Sequence, residues 1–237
     1  MSTATDSELR RTARLLGVEG VDVEYLRRFD AAAIRGLRLA LAARIERDAA
    51  PTYARIARSS RLLPQTVVAR LAEKAMPARL SAGVVGALSP REAAGVASRM
   101  RAAYLCDVCR HLDPRLLGPI LALLPAATVE AARAELVRRA DHDTMAEVVA
   151  GLTDDQVVDL VPRLGTSVLL QVTLRVSDLA TLTRLAELMP VGVLRDIVAQ
   201  ASDPEERSQL RSLLDALPAT ARRRALGDPQ TPSTGTG

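Results

Sequence analysis

The sequence predicts an all-α protein, an α-solenoid or right-handed superhelix of short paired helices. Three observations carry this: a core that must be aliphatic, helix-capping signals along the whole chain, and an internal repeat of about 64 residues. Of the 237 residues, 48% are hydrophobic but only 2% aromatic, namely Tyr25, Phe29, Tyr53 and Tyr104. A core of Leu, Val and Ala packs well between helices and gives little support to a β-sandwich. The chain has no alternating strand pattern and no Asn-Gly or Asp-Gly hairpin signal.

From the N-terminus, Asp6 to Leu16 reads as a short helix stopped by Gly17, a residue that adopts the left-handed conformation freely. Asp30 caps a long helix running to about Asp48, and Pro51 starts another. Over this region Arg35, Arg38, Arg44, Arg47, Arg55, Arg58 and Arg61 form a basic face opposed only by Glu46 and Asp48. Thr5 to Glu8, Ser89 to Glu92, Thr153 to Gln156 and Ser202 to Glu205 have capping-box spacing, in which a hydroxyl and a carboxylate or amide satisfy orphan backbone N–H groups. Pro90 and Pro114 follow Ser89 and Asp113, the favoured order of N-cap and first helical residue. Between these marks apolar residues recur at helical spacing, as in Leu105, Val108, Cys109 and Leu112, or Leu179, Leu182, Leu185 and Ala186.

The repeat is carried by landmarks of different kinds. Leu62-Leu63-Pro64 recurs as Leu123-Leu124-Pro125 and Leu188-Met189-Pro190. Val84-Val85 with Leu88 recurs as Val148-Val149 with Leu152, then as Leu213-Leu214 with Leu217, at offsets of 64 and 65. Leu88-Ser89-Pro90 corresponds to Leu152-Thr153-Asp154, and Leu112-Asp113-Pro114 to Val176-Ser177-Asp178. Each unit holds roughly four short helices and cannot bury both faces alone, so stacked neighbours share a continuous core. The expected organisation is an N-terminal helical cap over 1–61, the repeat array over 62–226 and a disordered tail over 227–237.

The run from Leu88 to Ala201, with its hydrophobic-Ser/Thr/Asp-Pro/Asp breaks followed by small residues such as Pro90-Arg91-Glu92-Ala93-Ala94, resembles the cytoplasmic N-terminal domain of MgtE-type magnesium transporters. The flagellar motor switch protein FliG has similar superhelical units. The resemblance covers about half the chain and implies fold more than function. In the transporter this domain helps sense magnesium. None of the family's acidic metal positions is carried over onto this sequence, and the resemblance implies a stand-alone interaction scaffold.

Composition bounds the rest. Net charge is +4, and Lys74 is the one lysine among 32 basic residues. Met1 to Asp6 is polar, and the longest apolar candidate, Leu116 to Val129, is interrupted by Pro119 and Pro125, short of the roughly 18 residues of a membrane span. The expectation is a cytoplasmic protein.

Cys106-x-x-Cys109 with His111 and His142 supplies the ligand types of tetrahedral zinc. No finger spacing relates them, and small buried thiols packed as hydrophobes are the expected reading. Asp141-His142-Asp143 and Asp154-Asp155 offer oxygen ligands for a divalent cation, but they fit helix N-termini, where carboxylates offset the macrodipole. No Gly-x-Ser-x-Gly, phosphate-loop, dinucleotide or His-Glu-x-x-His motif occurs. No catalytic, cofactor-binding or metal residue is assigned.

The expected function is that of a non-enzymatic cytosolic scaffold or adaptor whose concave face binds a protein partner. A homo-oligomer is compatible with it. The alternatives are nucleic-acid binding through the Arg face of 35–61 with Arg222-Arg223-Arg224, or a divalent-metal-responsive regulator, suggested by the resemblance alone.

Overall fold

A computed structural model describes residues 3–226; the tail expected over 227–237 lies outside the described residues. All secondary structure among the described residues is helical, with no strand, as the aliphatic composition and capping signals require.

Helix α1 (Thr3–Leu16) ends at Gly17, whose φ is +70°. The Gly17 N–H donates to Arg14 O and the Val18 N–H to Ala13 O, the paired bonds of a Schellman stop. A 3-10 segment, Gly20–Arg28, then brings Val23 and Leu26 against Leu9 and Ala13 of α1 and against Ile34. This small apolar cluster ties the N-terminal region together.

Helix α2 (Ala31–Ser60) is capped by Asp30, whose carboxylate accepts the Ala33 N–H at 2.7 Å. It is one helix of 30 residues with Pro51 inside it, not two helices meeting at Pro51. An interior proline removes one backbone bond. The turns beyond it are held on axis by Tyr53, Ile56 and Ala57, which pack toward the rest of the chain.

Thirteen shorter helices follow: α3 (Gln65–Ala75), α4 (Ala78–Gly86), α5 (Pro90–Ala97), α6 (Ala102–Cys109), α7 (Pro114–Leu121), α8 (Ala126–Arg138), α9 (His142–Gly151), α10 (Asp154–Leu160), α11 (Thr166–Thr173), α12 (Leu179–Leu188), α13 (Val191–Gln200), α14 (Pro204–Ala216) and α15 (Ala219–Leu226). The capping boxes at Ser89/Glu92 and Thr153/Gln156 form as expected, with Pro90 and Pro114 in the first turns of α5 and α7. Two expected caps do not form. Thr5 and Glu8 both lie inside α1, where Glu8 takes a different partner set, and α14 is capped by Asp203, not Ser202. Asp203 accepts the Glu206 N–H at 3.4 Å and Pro204 follows it, so an acid–proline pair supersedes the serine one residue earlier.

Most short helices pack on the next but one: α3 on α5, then α7, α9, α11, α13 and α15 in one row, and α4, α6 and α8 in a second, while α10 packs on α12 and α12 on α15. Helices of two to three turns joined by tight turns cannot lie flat on their immediate neighbours, so alternate helices share a face. Helices α4, α5 and α6 begin at 78, 90 and 102, and α9, α10 and α11 at 142, 154 and 166, each 64 residues later. Five helices occupy that interval, not four, because the stretches between caps are as short as seven or eight residues.

The main core runs from Cys106 and Leu136 through Val157, Leu170 and Leu185 to Ala225. A second cluster joins Ala82, Ala93, Val108, Leu117 and Ile120. No helix among the described residues is long and apolar enough to cross a membrane.

Candidate functional site: an arginine-lined cleft beneath α2

Helix α2 buries only Ile34 and Ala57, and it is held at two places far apart along its axis. Near its start, Arg38 donates to Glu8 Oε2 at 2.8 Å and lies 3.1 Å from Glu147 Oε1 of α9. Near its end, the Tyr53 ring sits where a Cβ on Gly83 of α4 would be, 2.2 Å from it. Fifteen residues separate Arg38 from Tyr53, about 22 Å of helix at 1.5 Å per residue. Between the two anchors α2 forms one wall of a cleft of about 740 Å³.

The cleft is lined by eight arginines, Arg11, Arg14, Arg35, Arg38, Arg79, Arg110, Arg115 and Arg184, and by four carboxylates, Glu46, Asp113, Glu147 and Asp178. The surplus is positive, and Leu15, Leu39, Ile45 and Leu112 supply apolar wall between the charges. Such walls lower the local dielectric and focus the field into the cleft.

The first anchor is a buried ion network. Glu8 is completely buried and accepts from Arg11 at 2.7 Å, Arg38 at 2.8 Å and Ser177 at 2.7 Å. Burial raises its pKa, but the charges of Arg38 and Arg11 and the hydrogen bonds outweigh it and hold the carboxyl below its usual range. Beside it, Asp143 of α9 takes Arg10 at 2.7 Å, and Arg11 also donates to the Asp143 carbonyl at 2.8 Å. Asp143 is held low in the same way, burial being outweighed by hydrogen bonds from Arg10 and Ser7 and by the charges of Arg10 and Arg11. The network therefore docks α1 onto α9 and the turn before α12.

Several cleft arginines already have a carboxylate partner. Arg115 clamps Asp113 through bonds of 2.6 to 3.1 Å, Arg110 holds Asp141 at 2.6 Å, and Arg35 lies 3.4 Å from Asp178. Glu46 faces into the cleft with its pKa raised by burial and by Asp113, against a smaller opposing effect of Arg115.

The residues singled out by the sequence fall into place unevenly. The arginines of 35–61 do not form one face. Arg35 and Arg38 turn into the cleft, Arg61 pairs with Glu92 at 2.7 Å, and Arg44, Arg47, Arg55 and Arg58 are exposed. At the far end of the chain, Arg224 donates to the Met189 carbonyl at 3.2 Å and Arg223 to the Ala219 carbonyl. Asp141 caps α9, accepting the Thr144 N–H at 3.3 Å, and Asp154 and Asp155 occupy the first turn of α10.

Cys106 and Cys109 are free thiols on α6, and Cys106 Sγ donates to the Ala132 carbonyl at 3.4 Å. They are not gathered with His111 and His142; among the described residues no group of three or more His, Cys, Asp or Glu side chains is placed to hold a metal ion. Burial pushes the thiol pKa up to about 11 at Cys106 and about 12 at Cys109. Alkylation by iodoacetamide at pH 8 is therefore expected to be at least about 100-fold slower in the native protein than in urea; equal rates would show that these thiols are not packed away.

The sequence did not single out Glu8, Arg11, Arg14, Asp143 or Glu147 as one assembly. The only local signal was the Glu8/Arg11 pair three residues apart, a spacing that ordinarily marks a solvated helix face. No family model, no curated protein and no solved structure matches the chain.

Proposed function

We propose that the protein is a non-enzymatic helical-repeat adaptor, and that the cleft beneath α2 binds an extended, acidic segment of a partner protein. The observation that carries this reading is a cleft lined by eight arginines and four carboxylates in which Arg14 and Arg79 have no carboxylate partner among the described residues. A passage about 22 Å long accommodates an extended segment of about six or seven residues at 3.3 Å each. Charged hydrogen bonds to those arginines supply affinity, and the apolar wall supplies contact for the segment's aliphatic stems.

The repeat part of the reading draws support from matching positions. Val84, Val85, Leu88, Ala97 and Met100 line one apolar crevice between helices. Their counterparts 64 residues on, Val148, Val149, Leu152, Val161 and Leu164, line a second, and Leu213, Leu214, Leu217 and Ala225 a third. The two anchors of α2 also fall on corresponding positions, Gly83 and Glu147, 64 residues apart. On this reading α2 straps two successive units and the cleft is the concave space between them, in keeping with a superhelix like that of the magnesium transporters' cytoplasmic domain.

The test is a titration of the full chain with an Asp/Glu-rich decapeptide and with a composition-matched neutral peptide. The acidic peptide is expected to bind with a micromolar Kd that weakens about tenfold between low and physiological salt. Replacing Arg79 and Arg184 together by Ala should lower the affinity by at least about tenfold. Indifference to peptide charge, or tighter binding of a single-stranded oligonucleotide than of the peptide, would overturn the proposal.

A further inference from the structure

The arginines of the cleft are not equally engaged. At the end bordered by α1, α4 and the turn after α6, the cleft is lined by Arg14, Arg79, Arg110 and His111. Burial first, and then the charges of these three guanidiniums, hold the imidazole below its usual range, with only Asp107 opposing them. Arg110 has Asp141 as partner at 2.6 Å, and Asp107 is taken by Arg139 at 2.7 Å.

Arg14 and Arg79 have no such carboxylate. Among the described residues the Arg14 guanidinium has one hydrogen bond, to Thr144 Oγ1 at 3.5 Å, and burial disfavours its charged form. The acids whose charges reach Arg14 are each engaged by another arginine: Asp141 by Arg110, Asp143 by Arg10, and Glu147 by Arg38. Arg79 makes no hydrogen bond or ion pair among the described residues. Two guanidiniums thus lack a carboxylate of their own among the described residues, in a cleft with Leu15 and Leu112 in its wall, and for Arg14, whose charged form burial disfavours, the missing partner is costly.

We propose that this corner, formed by Arg14, Arg79, Arg110 and His111, is a binding site for a phosphate monoester dianion carried on a serine or threonine of the bound segment. This rests on the reading of the cleft as the seat of a partner segment and names the group that segment presents. A carboxylate brings one charge and two oxygens and leaves one guanidinium unmatched. A phosphate monoester brings close to two charges and three acceptor oxygens, enough for both free arginines, with a ring N–H of His111 and the outer edge of Arg110 closing the set. The forked guanidinium matches phosphate oxygens in pairs. A nucleic-acid backbone offers diesters with one charge each and would have to thread beneath α2.

The test uses the full chain and an Asp/Glu-rich peptide with one central serine, phosphorylated or not, together with inorganic phosphate alone. With two histidines in the chain, imidazole resonances report the site directly. The phosphopeptide is expected to bind at least about tenfold tighter than its unphosphorylated twin. Inorganic phosphate should shift the His111 resonances and leave those of His142 in place. Arg79→Gln should bring the two peptides within about twofold of each other. The melting temperature should hold, since Arg79 has no partner among the described residues, and Arg47→Gln on the outer side of α2 should change nothing.

Equal binding of the two peptides would overturn the phosphate site and leave the acidic-segment reading standing. Binding of neither peptide, with His111 still shifted by phosphate, would overturn the segment reading and keep the anion site. No shift of His111 and no advantage of the phosphopeptide would end the proposal, as would tighter binding of an oligonucleotide of equal charge.

Discussion

Glu8→Gln is expected to cost about 3–5 kcal/mol of folding stability, read as a lower urea midpoint at unchanged slope. Glu8 is completely buried and faces Arg11 at 2.7 Å and Arg38 at 2.8 Å. The amide preserves size and one acceptor but leaves two guanidiniums in the interior with less compensating charge. Removing one partner of a buried ion network costs far more than the intact network contributes, because the charge left behind has lost its water. The pH dependence follows from the same geometry. The Glu8 carboxyl is held below its ordinary value of 4.5, and that of Asp143 below 3.8. A depressed folded-state pKa contributes stability that is complete above the unfolded value and is lost as pH falls through the folded one. The wild-type midpoint should therefore be level near neutrality and fall below about pH 4.5. Glu8→Gln should show less of that fall. An undiminished acid dependence in the variant would show that Glu8 is not the group being protonated.

Gly151→Ala is the second substitution with a large expected effect, a loss of about 3 kcal/mol or more. A Cβ at Gly151 would stand 2.0 Å from the Pro114 carbonyl oxygen, and both are backbone positions, so α9 has to move away from α7. Gly118 marks the other side of this crossing, its Cβ position 3.0 Å from the Gly151 carbonyl oxygen, so Gly118→Ala should cost less than Gly151→Ala. Gly36 in α2 has nothing within 4 Å of its Cβ position, and Gly36→Ala should stabilise by about 0.5–1 kcal/mol through helix propensity. Thermal or urea unfolding of the three variants checks the order. A harmless Gly151→Ala would mean that α7 and α9 do not meet backbone to backbone. Gly151 and Pro114 also line the cleft, so the same change should weaken acidic-peptide binding.

Local features were legible along the chain. The Gly17 stop, the Asp30 cap, the boxes at Ser89 and Thr153 and the prolines at 90 and 114 all depend on residues within four positions of one another. Where two local signals competed, the sequence misled. Pro51 read as a helix start, yet the helix continues, with Tyr53 packed on Gly83 of α4 and Ala57 buried beyond it. Ser202 read as a cap and Asp203 took the place. The regular arginines of 35–61 read as one solvated face, but Arg38 points to Glu8 and Glu147.

The sequence alone determined that the chain is helical, with an aliphatic core and with most helix starts and stops where short-range chemistry puts them. Such features are set by backbone groups that must be satisfied within a turn or two, so nearby residues suffice. The tertiary structure decided which charges are buried and which face each other. Glu8 meets Ser177 across 169 positions and Arg10 meets Asp143 across 133, and the cleft exists only because α2 is fastened at both ends. A buried charge is tolerable only beside its counter-charge, and folding brings that partner from a distance no local pattern records.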